Sequence, residues 1–221
     1  MTRQPRTNSI KVEKARIAEL LAPFIGSALL SDSQLDAIEA YLDLLLRWNA
    51  KLNLTAIRDP EEVVTRHFGE SLFAARQLFP AGDPHATAID VGSGAGFPGL
   101  PLKLWSPSLN LTLIESNQRK ATFLREVVRT LNLGSVSVLS ERAERISLRA
   151  DLVTFRAVER FESILPIAFN LVKPGGRIAA LIGGAQVRLA QSTLPNIRWE
   201  DPIPIPPSRN GMLLIGEIRS K

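Results

Sequence analysis

Asp90-Val91-Gly92-Ser93-Gly94-Ala95-Gly96-Phe97-Pro98-Gly99 continues directly from the apolar run at 88–89. Three alternating glycines allow a tight turn, because glycine reaches positive φ without steric cost, and they let a ligand approach bare backbone. At the end of the first strand of an open parallel sheet, such a turn faces the crevice where these sheets hold their ligands.

Downstream of the loop the pattern alternates between strands and helices. Strands are expected at 88–91, 109–114, 136–139, 152–155 and 177–182, with a last pair near 197–205 and 212–218. Helices are expected at 99–104, 117–131 and 161–171. This alternation signals a mostly parallel sheet. No helical pattern separates the final two strands, so they are expected to form an antiparallel hairpin at the edge.

Upstream the chain reads as helical. Leu35, Ile38, Tyr41, Leu42, Leu45, Trp48 and Leu52 fall at three- and four-residue spacing, one stripe of a helix. Ser31 and Gln34 have capping-box spacing just before it. A second helix opens with Asp59 as N-cap, Pro60 in the first turn and Glu62 to close the box. Its apolar face runs through Val63, Val64, His67, Phe68, Leu72 and Phe73 until Pro80, Gly82 and Pro84 break it. One domain is expected, with residues 1–85 as a helical cap sharing the core of 86–221.

Composition bounds the chemistry. The chain has 221 residues, 45% of them hydrophobic and 22% charged, which is ordinary for a globular protein. No apolar run approaches the ~20 residues of a membrane helix. The amino terminus mixes Arg3, Arg6, Lys11 and Lys14 with acids and carries no apolar signal core, so the cytoplasm is expected. Cysteine is absent. That excludes disulfides, Cys-rich zinc sites, iron–sulfur clusters and any methylation that needs a cysteine nucleophile. With only His67 and His85 available, no transition-metal site is expected. A net charge of +5 admits a nucleic-acid partner if the cations cluster near a site.

Two cofactor readings compete at the loop. Gly94, Gly96 and Gly99 satisfy G-x-G-x-x-G, as in nicotinamide and flavin enzymes. Asp90 followed by Gly92, Gly94 and Gly96 gives the acid-then-glycines form that suits S-adenosylmethionine, which has no pyrophosphate. Glu115 ends the next strand and offers two acceptor oxygens to a ribose diol; its structural alternative is a charge at the start of the helix near Asn117. The polar turn Ser140-Glu141-Arg142-Ala143-Glu144 is placed to contact an adenine. Phe155-Arg156-Ala157 ends the fourth strand, and Leu171-Val172-Lys173-Pro174-Gly175-Gly176-Arg177 makes a helix–turn–strand corner typical of methyltransferases. The expected fold class is α/β: a Rossmann-like S-adenosylmethionine-dependent methyltransferase with a seven-stranded, mostly parallel sheet, an antiparallel edge strand and an N-terminal helical cap.

Over nearly its whole length the sequence resembles the bacterial ribosomal RNA small-subunit methyltransferase G family, also called glucose-inhibited division protein B. The segments carrying the resemblance are Trp48-Asn49-Ala50-Lys51-Leu52-Asn53-Leu54-Thr55-Ala56, Arg66-His67-Phe68-Gly69-Glu70-Ser71, and the loop from Gly92 to Leu100 with Pro98 and Pro101. The resemblance implies N7 methylation of guanine 527 in 16S ribosomal RNA, naked or within the small ribosomal subunit. It further implies cofactor contacts at Gly92, Phe97, Ala143, Glu144 and Arg156, with Glu115 as the ribose acid. Gly94 belongs with them because a side chain there would enter the loop. Family members often carry a lysine before a glycine after the fifth strand. Here Ile182 precedes Gly183-Gly184, and Arg177 and Arg188 are the neighbouring cations available to replace that lysine.

Guanine N7 carries an in-plane lone pair and no proton, so no catalytic acid or base is expected. In keeping with this, the Asn-Pro-Pro-Tyr and Asp-Pro-Pro-Tyr segments of many exocyclic-amine methyltransferases do not occur. His67 has two readings, substrate contact or a satisfied core histidine. Asn53 likewise has two, a helix C-cap or a place near the pocket. Trp48 is expected in the helical core. For RNA phosphates, Arg119 and Lys120 are the candidates, because they begin a helix beside the crevice; Arg125 and Arg129 read equally well as a solvated face with Glu126. A monomer is expected. Other readings are a methyltransferase for another RNA, a protein or a small molecule, a nicotinamide-dependent reductase, and a non-catalytic cofactor-binding module.

Overall fold

The computed structural model describes residues 12–80, 86–157, 161–208 and 210–219. Arg3, Arg6, Lys11, Gly82, Pro84 and His85 lie outside the described residues. The cap opens with α1 (Lys14–Ile25) and α2 (Asp32–Leu52). The Ser31 hydroxyl accepts the Gln34 N–H and the Gln34 side chain accepts the Ser31 N–H, so the capping box forms as its spacing predicts. Asn53 ends α2 in the left-handed region, φ 48°, and its amide oxygen accepts from Arg58. Of its two readings, the C-cap is the one realised.

The second helical region is less regular than its apolar spacing suggests. Asp59 caps α3 (Pro60–Val63), a π-helical turn spans Val64–Gly69, and α4 (Glu70–Leu78) follows. A π turn adds one residue per turn and re-aims the side chains around it. Gly69 is required there: a Cβ would lie 2.5 Å from the Phe24 ring of α1.

The sheet runs β1 (Thr87–Val91), β2 (Asn110–Ile114), β3 (Val136–Leu139), β4 (Ala150–Arg156), β5 (Val172–Gly183), β6 (Arg198–Trp199), β7 (Ile203–Pro204) and β8 (Gly211–Glu217). Its order is β3-β2-β1-β4-β5-β8-β6, with β7 also on β8. The first five strands are parallel, and β8 is antiparallel to β5. The connections are made by α5 (Gly99–Trp105), α6 (Gln118–Thr130), a 3-10 turn (Ala143–Arg145), α7 (Phe161–Asn170) and α8 (Gly184–Thr193).

Three details differ from the sequence reading. The strand expected at 197–205 is split into β6 and β7, giving eight strands instead of seven. Pro202 has no N–H for the ladder at the break, and β6 and β7 both pair antiparallel with β8, which makes the expected antiparallel pairing at this edge of the sheet. β5 starts at Val172, not Arg177, because Val172 pairs with Ala150 before a register shift. α8 was not anticipated; only Ala190 of it is fully buried, which leaves a weak apolar signal.

Alternation along the strands sends side chains to two faces. On one, Ala88, Leu111, Leu113, Leu152 and Leu213 join Ile17, Leu21, Ile38, Leu45, Phe68 and Leu72 of the helical third in one apolar cluster. On the other, Ile89, Val153, Phe155 and Ile178 pack against α7 and α8. The helical third therefore shares the sheet's core. The chain order reverses between β1 and β4, so the crevice opens at their carboxyl ends.

Candidate active site

At that end lies a cavity of about 750 Å³. The loop after β1 forms one wall. Gly92, Gly94 and Gly96 have φ of 67°, 56° and 93°. A Cβ on Gly94 would meet only the Gly92 carbonyl, at 3.8 Å, and would otherwise project into open space. A Cβ on Gly96 would lie 2.3 Å from the Tyr41 hydroxyl oxygen. The two glycines thus have different duties: one leaves room for a ligand, the other lets the cap press on the loop.

That pressure comes from an aromatic stack. His67 lies on Phe97 with ring centroids 4.9 Å apart, and Phe97 lies on Tyr41 at 5.4 Å with the planes 2° from parallel. The Tyr41 hydroxyl donates to the Ala95 carbonyl. Tyr41 from α2 and His67 from the π turn hold a loop residue between them. The sequence reading put Tyr41 merely on a core stripe; its being the single tyrosine of the chain was the available hint.

Glu115 is buried beside the loop. One carboxylate oxygen accepts the Gly94 N–H at 2.9 Å and the other the Asn117 N–H at 2.7 Å. Each oxygen keeps a second acceptor position, so the carboxylate both braces the turn and can receive a diol. Asn117 caps α6 by accepting from Arg119 and Lys120.

Asp90, fully buried below the loop, accepts from Gly99 N–H at 3.3 Å and from the Thr154 hydroxyl at 3.0 Å. Burial pushes its pKa up to about 7, against the lowering effect of hydrogen bonds from Thr154, Ser93 and Gly99. A Cβ on Gly99 would lie 2.9 Å from Asp90 side-chain atoms. The first N–H of α5 is therefore engaged by a carboxylate. In a dinucleotide fold the corresponding helix start receives a pyrophosphate. Occupation by Asp90 argues for the S-adenosylmethionine form of the loop and against the nicotinamide reading.

A charged group closes the far side. Glu70 is buried; one oxygen accepts Arg66 Nε and the other Arg156 Nη2, both at 2.8 Å. Arg156 Nη1 is buried without a partner. Burial holds the Arg156 pKa below its usual value, opposed by the Glu70 charge; an arginine remains cationic regardless. His67 shares a hydrogen bond of 2.7 Å with the Thr55 hydroxyl through Nε2, while Nδ1 is buried and unpartnered. Burial, then the Arg156 and Arg66 charges, lower its pKa to about 3, so the ring is neutral at pH 7. Two unpartnered polar atoms on one cavity wall call for a polar ligand.

Of the residues singled out from sequence, Gly92, Gly94, Phe97, Glu115, Glu144, Arg156 and Lys120 line this cavity together. Ala143 lies behind the wall, buried in the cluster under the 3-10 turn. Arg119 is exposed on α6 and is not a lining residue. His67 both faces the cavity and packs in the stack, so its two readings merge. Trp48 packs on Phe123 in the core. Thr55 and Arg142 also line the cavity; Arg142 belongs to the turn expected at the adenine, and Thr55 has no role of its own in the sequence reading. Arg177 cannot replace the missing lysine at Ile182. It sits five residues back along β5, at the opposite end of the sheet, and donates to the Leu78 carbonyl.

A family model for rRNA small subunit methyltransferase G matches residues 34–192. A ribosomal RNA small subunit methyltransferase G from Xanthomonas euvesicatoria pv. vesicatoria is 42% identical over 173 residues, covering 74% of this chain and 79% of that protein. One from Stenotrophomonas maltophilia is 43% identical over 171 residues, covering 76% and 78%. Among solved structures, a SAM-dependent methyltransferase from Aquifex aeolicus superposes with a TM-score of 0.57 at 18% identity, over 75% of this chain and 97% of that one, a likeness of fold.

Proposed function

The chain belongs to the rRNA small subunit methyltransferase G family, and from that premise we propose that it methylates N7 of guanine 527 in 16S ribosomal RNA, using S-adenosylmethionine. The observation that carries this reading is the cavity at the β1/β4 switch, where the glycine loop, Glu115, Glu144 and Arg156 converge. Its residues fit that cofactor. Gly94 leaves space, Glu115 retains acceptor positions for ribose hydroxyls, and unpartnered Arg156 Nη1 and His67 Nδ1 await polar atoms. Gly92, Gly94, Phe97, Glu115, Ala143, Glu144 and Arg156 form the proposed cofactor site, with Ala143 contributing through the turn it anchors.

When bound, S-adenosylmethionine supplies a methyl group on a sulfonium cation, open to displacement by a lone pair. The protein's task is alignment and exclusion of water, an effect worth roughly 7–11 kcal/mol for well-oriented reactants. Phe97, clamped between Tyr41 and His67, holds the loop wall rigid. His67, neutral at pH 7, adds no charge to the cavity lining. No proton leaves N7, so no residue is assigned as an acid or base. Lys120 and Arg142 at the cavity, with Arg119 on the adjacent surface, are the proposed phosphate contacts.

The proposal includes a cytoplasmic monomer built as one domain, with a cap of 1–85 on a core of 86–221. Among the described residues no helix is long and apolar enough to cross a membrane. The test is transfer of labelled methyl from S-adenosylmethionine to small-subunit RNA or particles from cells lacking the protein, mapped by cleavage at N7-methylguanine. A single labelled guanine is expected. Transfer to no ribosomal RNA, or to a site other than N7, overturns the reading.

A further inference from the structure

A second cavity, of about 310 Å³, lies behind Arg156 and Ala157, which line both spaces. The other cavities described, one at the opposite end of β1 and β2 and one between α2, α5 and the loop before β3, share no lining residue with the first. Methyl transfer requires reacting atoms roughly 3–3.5 Å apart, so the acceptor must occupy space contiguous with the cofactor's.

The polarity of this second cavity is fixed by its backbone. Gln186 Oε1 accepts the Gly183 N–H at 3.0 Å. The Gly184 N–H is shared between the Asn210 main-chain oxygen at 2.9 Å and Asn210 Oδ1 at 3.3 Å. Ser208 Oγ accepts from Gly211 at 2.8 Å and from Asn210 at 3.3 Å. In each of these three lining side chains the acceptor atom is engaged by main-chain N–H groups. The amide oxygens are turned to the main chain and keep one further acceptor position each, while two amide NH2 groups and a hydroxyl proton are left as donors; the Glu70 carboxylate also lines this cavity. Arg66 at the rim is also donor-only, and its charge is offset by buried Glu70. Leu181, Ile182 and Ile205 supply apolar surface between them. Ile182 lines this space without adding a charge.

Resting on the RNA-methylation reading above, we infer that this cavity seats the target purine and selects guanine over adenine through its 6-keto oxygen. The acceptor edge of guanine presents O6 beside N7, whereas adenine presents an N6 amino donor beside N7. The Gln186 and Asn210 NH2 groups and the Ser208 hydroxyl pair with the first and would meet another donor in the second. Purine N7 stays free of these donors and faces the cofactor cavity where the two spaces adjoin, beside Arg156 and Ala157. A phosphate would also be attracted by donors, but the Glu70 carboxylate and the apolar plates favour a neutral planar group.

The test uses the full chain and small-subunit RNA whose target guanine is replaced by inosine, which keeps O6, or by 2-aminopurine, which lacks it. Inosine RNA should be methylated at a rate within a few-fold of guanine, and 2-aminopurine RNA roughly 10- to 100-fold more slowly. Gln186→Glu and Asn210→Asp each keep the oxygen their backbone partner needs while removing the donor. Each should slow transfer to guanine by roughly 10-fold or more, with calorimetric affinity for S-adenosylmethionine unchanged. Two variants guard against one failing to fold, and the RNA arm needs neither. Equal rates on 2-aminopurine and guanine, wild-type transfer by a folded variant, or an equal loss of cofactor affinity would each overturn the inference. Absence of transfer by the unaltered chain to unsubstituted RNA would instead remove the reading beneath it.

Discussion

The two ends of the sheet treat polar groups in opposite ways. At the amino ends of the strands, Asp151 accepts from the Thr87 N–H and hydroxyl and from Lys173, and Lys103 donates to the Pro107 and Leu109 carbonyls. There Arg177 ties β5 to the cap. At the carboxyl ends, His67 Nδ1, Arg156 Nη1 and Ser140 Oγ are buried without partners, and Asp90 and His67 are held away from their charged forms. Ala157 there adopts φ 47°, a left-handed conformation unfavourable for any residue with a Cβ. The opposite end is not flawless, since Ser106 Oγ also lacks a partner. The difference still teaches where stability was surrendered: unsatisfied groups collect where a ligand would complete them, whereas backbone strain is shared, since Asn132 and Ser135 before β3 have φ of 49° and 56°.

Gly94→Asp should show the largest effect. Its side chain enters the cavity beside Glu115, and cofactor affinity measured by calorimetry should fall at least ~100-fold, about 3 kcal/mol. Native melting with wild-type affinity would erase the distinction between the ends. Next is Asp90→Asn. The folded pKa of Asp90, about 7, lies above the usual 3.8. Its contribution is therefore fully present below about pH 4 and lost as pH rises through 7, on the order of a few kcal/mol. Thermal midpoints of Asp90→Asn should fall less than those of the parent between pH 5 and 8; parallel curves would contradict the burial argument.

His67 shows the reverse sign. With a folded pKa near 3 against 6.5, its contribution holds above pH 6.5 and is lost as pH falls toward 3. Replacement by Gln should flatten the acid side of the stability profile. At the opposite end, Asp151→Asn removes a half-exposed ion pair and should cost about 1 kcal/mol in denaturant titration, with cofactor affinity unchanged. A change in affinity would show the ends to be coupled. The smallest effect is Ala157→Gly, which relieves the positive φ and should stabilise the fold by roughly 0.5–1 kcal/mol.

Elements carried by local rules were legible. The Ser31–Gln34 box, the Asp59 cap, the stripe of α2 and the βα alternation each depend on neighbours within a few residues, and each formed. Gly92, Gly94 and Glu115 were legible because a turn and a strand end announce themselves in residue type. The π turn at 64–69 was not, since apolar spacing cannot distinguish one added residue per turn from a regular helix. The split of β6 from β7 and the early start of β5 turn on pairing with distant strands.

The linear order of residues determined which segments become strands, where the loop must bend, and which chemistries are impossible without cysteine. Tertiary structure alone decided that Tyr41 and His67 grip Phe97, that Glu70 bridges Arg66 and Arg156 across 86 positions of chain, and that the Asn210 amide oxygen meets the main chain at Gly184. Dihedral preferences and hydrogen bonds of short reach can be read from adjacent residues. Which distant side chains meet depends on how two apolar faces pack, and packing belongs to the whole molecule.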